Sequence, residues 1–447
     1  MSGIAEVFLN SGYKITGSDL CENKISRRLS KLGAKIYKGH NAININNQNL
    51  CVYSSAIPSS NVEILECKKR NIELISRGEI LAEMLKLKDA IAIAGSHGKT
   101  TITSMIGNIL LGANLDPTIL LGGTLSTFKS GAKLGKGKYF VAEMDESDGS
   151  FLKVFPIISV ISSIDREHIN HYGSMDALKN AFKTFANQTK NDGVIIYCKD
   201  ENNVEDVMLS TQKRKVLYGL SKQADVRATE INFKAFNTSF NLYINEKNWG
   251  RINLPLPGTY NIKNALAAWA VARELEIDHE IIKYTLESFE SPERRFQLRG
   301  EFGDLVVIED YAHHPTAIKQ VLKTAKKGFS KKIIAVFQPH RFTRVKESFN
   351  EFISCFDEAD IILITDIYAS SEDVIPNITG KSLADEISRN GHPNAIYIPE
   401  IKSISRKILK LITGNELIIF LGAGDICNEI DHFIALLKKQ NIQDGQC

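Results

Sequence analysis

The stretch Ala90-Ile-Ala-Ile-Ala94 followed by Gly95-Ser-His-Gly-Lys-Thr-Thr101 decides the fold. An apolar run of strand length leads into a glycine loop, and a helical pattern follows. That order suits a phosphate-binding loop, because glycines let backbone N–H groups turn toward an anion and the next helix N-terminus presents free donors of its own. Gly95, Ser96, His97, Gly98, Lys99, Thr100 and Thr101 are therefore candidate nucleotide-binding residues. Lys99 is expected to reach the terminal phosphates of ATP and Thr100 to hold Mg2+ through its hydroxyl. The spacing is shorter than G-x-x-x-x-G-K-[ST], since Ile93 stands where the longer loop has its first glycine. A plain glycine turn with an exposed lysine explains less, because strand, loop, Lys-Thr pair and helix coincide.

Working outward, 447 residues exceed one core, and at roughly 100–200 residues per domain the length suggests about three. Hydrophobic residues make up 43% and charged residues 24% of the chain, as in an ordinary globular protein. The balance of 55 basic and 52 acidic residues is close to neutral. With no polybasic run interleaved with aromatics, it gives no reason to expect nucleic acid or a membrane surface as partner. Small molecules are the expected partners, with the chain a monomer or weak homo-oligomer. The seven cysteines, at 21, 51, 67, 198, 355, 427 and 447, show no C-x-x-C spacing and fit reduced thiols rather than a disulfide frame or a zinc site. No signal peptide or membrane-length apolar run is evident. The expected location is cytoplasmic.

The expected fold class is α/β in three domains: a Rossmann-like domain over 1–87, a central ATP-binding domain over 88–290 and a Rossmann-like domain over 291–447. In the first, an opening helix carries Ile4, Val7 and Phe8 at helical spacing, and strands at 13–19, 34–37 and 50–54 alternate with helices. This alternation means a parallel, doubly wound sheet. Asp19, at a strand end, is either a ribose ligand or a helix cap.

In the second domain, Lys138-Tyr-Phe-Val-Ala-Glu-Met-Asp-Glu-Ser-Asp148 is an apolar strand that delivers carboxylates at its C-terminal end, and Ile157–Ile161 leads toward His168 and His171. Ligands of open α/β sheets gather at that edge. The polar tract to about 250 reads as a meander on the domain's flank. Asn261 and Asn264, three apart at the mouth of an apolar helix, share one face and either read an adenine edge or cap the helix. In the third domain, strands at 305–309, 332–337, 361–365 and 417–421 are followed by polar clusters: Asp310-Tyr-Ala-His-His-Pro-Thr316, Gln338-Pro-His-Arg-Phe-Thr-Arg344 and Gly422-Ala-Gly-Asp425. Three such clusters at one sheet edge suggest a binding cleft.

Taken in order, these landmarks resemble the Mur ligases, the amide ligases of peptidoglycan synthesis. The residues that carry the resemblance are Gly95-Ser-His-Gly-Lys-Thr-Thr, Glu143-Met-Asp-Glu-Ser-Asp-Gly-Ser-Phe151, Asp165-Arg-Glu-His168, Pro257-Gly-Thr-Tyr-Asn-Ile-Lys-Asn264, Arg294-Arg-Phe-Gln297, Asp310-Tyr-Ala-His-His-Pro315 and Gln338-Pro-His-Arg-Phe-Thr-Arg344. The last two elements point to the alanine-adding branch. The resemblance implies ATP-driven joining of L-alanine to the carboxylate of UDP-N-acetylmuramate through an acyl phosphate. It further implies Glu143 beside Thr100 at one Mg2+, His168 at a second metal, Asn261 and Asn264 at the adenine, and Arg295 and Asp310 toward the nucleotide. His313, His314, Arg341 and Arg344 would face the amino acid and acyl phosphate, where a guanidinium fork suits a carboxylate.

Two departures accompany the resemblance. Tyr260 stands where the family usually has His, and the strand and G-x-G-G-x-G loop that normally stand ahead of Met-Ser-Gly-Ile-Ala-Glu are absent. The first domain is thus expected to be N-terminally incomplete, with unpaired strand groups and without the donors that hold a pyrophosphate. A tripeptide-adding ligase of murein recycling and a non-catalytic ATP-binding remnant are the alternative readings.

Overall fold

The computed structural model describes residues 1–54, 56–125, 130–147, 149–167, 169–370 and 372–444. They form two compact units, the first built from 1–231, 239–254 and 261–292, the second from 232–238, 255–260 and 293 onward.

The first unit opens with α1 (Ser2–Asn10), β1 (Thr16–Asp19), α2 (Lys24–Lys31), β2 (Lys35–Lys38), β3 (Leu50–Tyr53), α3 (Val62–Lys69), β4 (Glu73–Ser76) and α4 (Arg77–Leu85). The expected doubly wound sheet is split here. β1 pairs with β2 and β3 with β4, both in parallel, and among the described residues no ladder joins the two pairs. β1 and β3 each have one strand partner, and all four strands are only partly buried. Side chains make the link that the backbone does not. Glu63, in α3, accepts from Ser18 Oγ of β1 at 2.5 Å and from Asn44 Nδ2 at 2.7 Å. Buried Glu6 of α1 accepts from Arg28 of α2 at 2.6 Å.

The chain continues through β5 (Asp89–Ala94), α5 (Lys99–Gly112), β6 (Thr118–Leu125), β7 (Ser130–Lys133), β8 (Tyr139–Glu143), β9 (Ile158–Ile161), α6 (Ile169–Tyr172), α7 (Met175–Asn187), β10 (Val194–Cys198), α8 (Asn202–Leu209) and β11 (Lys215–Gly219). After β12 (Val226–Lys234), β13 (Asn237–Ile244) and β14 (Lys247–Leu254) come α9 (Thr259–Glu274) and α10 (His279–Glu287). One ten-stranded sheet runs in the order β14-β13-β12-β11-β10-β9-β5-β8-β6-β7. The tract read as a flanking meander is thus the far edge of the main sheet. Its alternating burial, with every second residue of β13 covered, fits a strand with one face in the core.

β5 lies inside this sheet between β8 and β9, and its last five residues are buried. Because strand side chains alternate, Ala90, Ala92 and Ala94 join one core with Leu81, Leu85, Phe182 and Phe185. Ile91 and Ile93 are buried with the opposite alternation. The parallel register sets Ile93 opposite Glu143 and Val160, so β8 and β9 also end where the glycine loop begins.

The second unit contains β15 (Gln297–Phe302), β16 (Leu305–Asp310), α11 (Pro315–Gly328), β17 (Lys332–Phe337), α12 (Phe342–Glu347), α13 (Phe349–Ile353), β18 (Ile361–Ile364), α14 (Gly380–Arg389), β19 (Ala395–Tyr397), α15 (Ile404–Leu409), β20 (Glu416–Leu421) and α16 (Cys427–Asp444). The sheet order is β15-β16-β20-β17-β18-β19, parallel except for β15. Helices cover both faces. Ile308, Ala335, Phe337 and Ile419 pack with Ile318 and Leu322 of α11, whereas Val307, Val336, Ile418 and Phe420 pack with Ile404, Ile430 and Phe433. With both faces buried, the strands read as continuous apolar runs.

Candidate active site

In the first unit the glycine loop joins β5 to α5 with backbone angles that favour glycine. Gly95 has φ +133° and Gly98 +85°. Both are also closely packed: a Cβ on Gly95 would stand 2.3 Å from Ser162 Oγ, and one on Gly98 2.5 Å from Asn264 Oδ1. The segment after β9 cradles the loop. Ser96 N donates to Ser163 O at 3.0 Å, His97 N to Ser163 Oγ at 3.0 Å, and Asp165 N to Ser96 Oγ at 2.8 Å. His97 Nε2 lies 2.5 Å from Asp165 Oδ2. Burial pulls the His97 imidazole down, but the hydrogen bond to Asp165 and the Glu167 and Asp165 charges outweigh it and hold the pKa above its ordinary value. The loop is thus fixed in shape by its contacts with the segment after β9.

Lys99 and Thr100 open α5 and meet the carboxylates after β8. Thr100 Oγ1 donates to Glu143 Oε2 at 2.7 Å. A hydroxyl and a carboxylate side by side form an oxygen donor set suited to a hard divalent cation. Gly122 makes room for it, since a Cβ there would fall 1.9 Å from Glu143 Oε1. Lys99 Nζ donates to Gly95 O at 2.5 Å and to both oxygens of Glu146 at 2.9 and 3.0 Å. Burial lowers the ammonium's pKa, but the charge and hydrogen bonds of Glu146 more than offset this and raise it. Lys99 is a cation at any physiological pH. Thr101 is buried in α5.

Asn261 and Asn264 are buried near the start of α9, with Asn264 Nδ2 donating to Asn261 Oδ1 at 3.2 Å. Neither sits at the N-cap, since α9 begins at Thr259. Their position against Gly98 ties them to the loop. Asp19 accepts from Cys21 N at 3.2 Å, a local turn at the end of β1. His168 and Asp148 lie outside the described residues. His171 is in α6, its ring edge-on to Tyr172.

In the second unit, the predicted residues gather at the carboxyl ends of β16 and β17. Buried Asp310 accepts from Phe296 N and Ala312 N, both at 2.7 Å. Burial pushes its pKa up against the pull of Arg295 and the two amides, and the net shift is upward. Arg294 and Arg295 both lie over the Tyr311 ring, at 4.9 and 5.4 Å. His313 Nδ1 is 2.8 Å from Tyr311 O; a carbonyl only accepts, so Nδ1 carries the proton and Nε2 keeps its lone pair. Burial, then the Arg344 charge, holds this imidazole neutral, well below the ordinary value. His314 precedes Pro315 as the N-cap residue of α11.

Arg344 Nη1 lies 3.0 Å from His340 Nδ1. Guanidinium only donates, so this His340 nitrogen accepts and the ring is neutral. Burial and the charges of Arg344 and Arg341 lower its pKa to about 4. Arg341, the residue before α12, has φ +69°, a conformation rare outside glycine and a form of backbone strain that concentrates at functional sites. It is held by Arg341 N donating to Tyr368 O at 2.9 Å. Sequence reading had not singled out Gly122, Glu146, His340 or Glu372, which accepts from Thr343 N at 3.0 Å and Thr343 Oγ1 at 2.7 Å. Two of these carried a signal: Glu146 by its place in the run of carboxylates after β8, and His340 by its place in the polar cluster after β17.

A lysine-bearing phosphate loop beside a hydroxyl–carboxylate pair, at the carboxyl edge of a parallel sheet, defines a nucleotide-binding α/β protein. Three family models cover almost the whole chain: the Mur ligase family catalytic domain over residues 1–89, the Mur ligase middle domain over 93–272, and the Mur ligase glutamate ligase domain over 294–424. The chain belongs to the Mur ligase family, with its three-domain architecture. It is 42% identical over 439 residues to the UDP-N-acetylmuramate–L-alanine ligase of Geotalea daltonii, covering 98% of this chain and 96% of that protein. Its identity to the enzyme of the same name from Geobacter sulfurreducens is 40% over 441 residues, with the same shares covered. The crystal structure of UDP-N-acetylmuramate-alanine ligase from Thermotoga maritima matches with a TM-score of 0.84 at 26% identity, covering 98% of this chain and 97% of that one. A murein peptide ligase from Psychrobacter arcticus shares the fold, with a TM-score of 0.73 at 21% identity over 98% of this chain and 96% of that one.

Proposed function

We propose that this chain is an ATP-dependent ligase that joins L-alanine to the carboxylate of UDP-N-acetylmuramate. The observation that carries the reading is the phosphate loop, with Lys99 and the Thr100–Glu143 pair in hydrogen-bond geometry, in a chain 42% identical to L-alanine ligases across nearly its whole length.

A carboxylate resists attack by an amine. Transfer of the γ-phosphoryl group of ATP to a carboxylate oxygen releases ADP and gives an acyl phosphate. The uncharged amine of alanine then attacks the carbonyl carbon, the C–O bond to phosphate breaks as the amide forms, and the proton lost by nitrogen leaves on the phosphate as hydrogen phosphate. Lys99 supplies positive charge to the transferring phosphoryl group, and the backbone donors at the start of α5, from Gly98 to Thr101, fix its place. Thr100 and Glu143 fit a Mg2+ ion, with His168 assigned to a second metal on the family resemblance alone. Such an ion would neutralise phosphate charge.

Asn261 and Asn264 are assigned to the adenine, and Arg295 and Asp310 to the nucleotide. His313, His314, Arg341 and Arg344 are assigned to alanine and the acyl phosphate, where the arginines pair with carboxylate and phosphate oxygens. Residues 1–87 would take the UDP-sugar, 88–290 the ATP and 291–447 the amino acid.

The test is phosphate release from ATP in the presence of UDP-N-acetylmuramate, with L-alanine or the tripeptide L-Ala-γ-D-Glu-meso-diaminopimelate as acceptor. Release with L-alanine supports the reading, and release with tripeptide alone would reassign the chain to recycling. No acceptor-dependent release would make it a binding remnant.

A further inference from the structure

We propose that Glu146 is the resident counterion of the loop lysine: it occupies the place of a phosphate on Lys99 when no nucleotide is bound, and so sets how tightly the enzyme holds ATP. The inference deepens the ATP-ligase reading and rests on it.

An ammonium has three protons to donate. Lys99 has a protein acceptor for each, Gly95 O and the two oxygens of Glu146. The Glu146 carboxylate thus holds Lys99 in the forked manner of two phosphate oxygens. Its side chain is 2% exposed and that of Lys99 20%, so the charges meet largely out of water, where each is costly without the other.

The backbone that carries the carboxylate is also held in place. The backbone carbonyl of Glu146 accepts from the Tyr172 hydroxyl and from Gly149 N at 3.2 Å. Nearby, Met144 N donates to Ile93 O of β5 at 2.7 Å. Glu146 is therefore presented to the loop by fixed backbone.

Two consequences follow for a nucleotide. A terminal phosphate reaching Lys99 must take over at least one N–H from Glu146, and it approaches a buried carboxylate of its own sign. Both oppose binding, in proportion to the negative charge brought near Lys99. With Glu146 in place, Lys99 is pre-positioned before ATP arrives, and the penalty falls most heavily on ATP and less on ADP. Glu146 is a positioning residue; it acts through Lys99.

Glu146→Gln keeps the shape and one acceptor oxygen while removing the charge. Isothermal titration of the full chain with ATP, ADP and AMP should show ATP bound roughly tenfold tighter than by wild type, ADP less so and AMP unchanged. The KM for ATP should fall with no change in the KM for L-alanine. Glu146→Asp, which keeps the charge but is too short for the two-oxygen contact, should lie between, and serves if the Gln variant does not fold. In the background of Lys99→Met the Glu146→Gln effect should vanish. The proposal is overturned if ATP affinity in Glu146→Gln stays within twofold of wild type or weakens, or if AMP shifts as much as ATP. When that happens while Lys99→Met alone loses ATP, the phosphate loop stands and only the counterion role is wrong. If Lys99→Met also binds ATP within twofold of wild type, the loop assignment fails and takes the counterion with it.

Discussion

Gly98 and Asn264 are in direct contact: a side chain on the loop glycine would fall 2.5 Å from the amide oxygen of the asparagine on α9. The contact couples phosphate loop and adenine candidate sterically. Gly98 also has a left-handed φ of +85°, which costs an L-residue about 1–2 kcal/mol before any clash. Gly98→Ala should weaken ATP binding at least tenfold while the far-ultraviolet circular dichroism stays that of the wild type, because the core strand β5 is untouched. ATP affinity equal to wild type in this variant would mean that the loop tolerates a reshaped backbone, and the packing argument would fail.

Thr100 and Glu143 share a hydrogen bond at 2.7 Å, and a cation between them would take an oxygen from each. Glu143→Ala should raise the Mg2+ concentration for half-maximal turnover roughly 10- to 100-fold. Binding of metal-free ATP should change much less, since Lys99 is retained. Magnesium titration of turnover, read beside calorimetry in EDTA, separates the two. An unchanged magnesium requirement would remove Glu143 from the metal site.

Arg344 lies 3.0 Å from His340 and Arg341 4.0 Å from Glu372, and both arginines are assigned to the acceptor. Arg344→Ala and Arg341→Ala should each raise the KM for L-alanine more than that for ATP. Arg344→Ala should also relieve His340 and His313 of a nearby positive charge, so their imidazole pKa values by NMR should rise. An equal rise in both KM values, or a rise for ATP only, counts against this placement.

His340 makes stability depend on pH with a definite sign. Its folded pKa is about 4, against roughly 6.5 in an unfolded chain. Between these values the unfolded state binds the proton and the native state does not, so stability is lost as pH falls from about 6.5 to 4 and is fully present above 6.5. His313 shifts the same way. His340→Asn should flatten this dependence, visible as a smaller drop in Tm between pH 7 and pH 4.5 by calorimetry. Equal drops for both proteins would show that the imidazole titrates normally.

Residues whose role follows from local chemistry were legible in the chain itself. The run from Ala90 to Thr101 announces strand, glycine turn and helix because each step is dictated by neighbours: apolar residues for a buried strand, glycines for positive φ, Lys-Thr at a helix start. The apolar strands of the second unit and the polar clusters after them were legible for the same reason, and so was the family. The opening 87 residues show where that reasoning stops. Alternating helices and strands imply one sheet, yet among the described residues the ladders come in two separate pairs, because pairing depends on which edges meet. Likewise, β12–β14 form the meander that their alternation suggests, but that they extend the main sheet as its far edge is decided by strand pairing.

What the tertiary structure decided is which distant groups meet. Glu143 lies beside Thr100 because parallel register sets it opposite Ile93, one residue before the strand's end. Glu146 faces Lys99, 47 positions away in the chain, because β8 lies next to β5 and the turn after it bends toward the loop. His340 is neutral because folding surrounds it with two arginines and little water. Local preference acts between chain neighbours and is written in the sequence; Coulomb forces, steric exclusion and desolvation act through space, and their partners are chosen only when the sheets assemble.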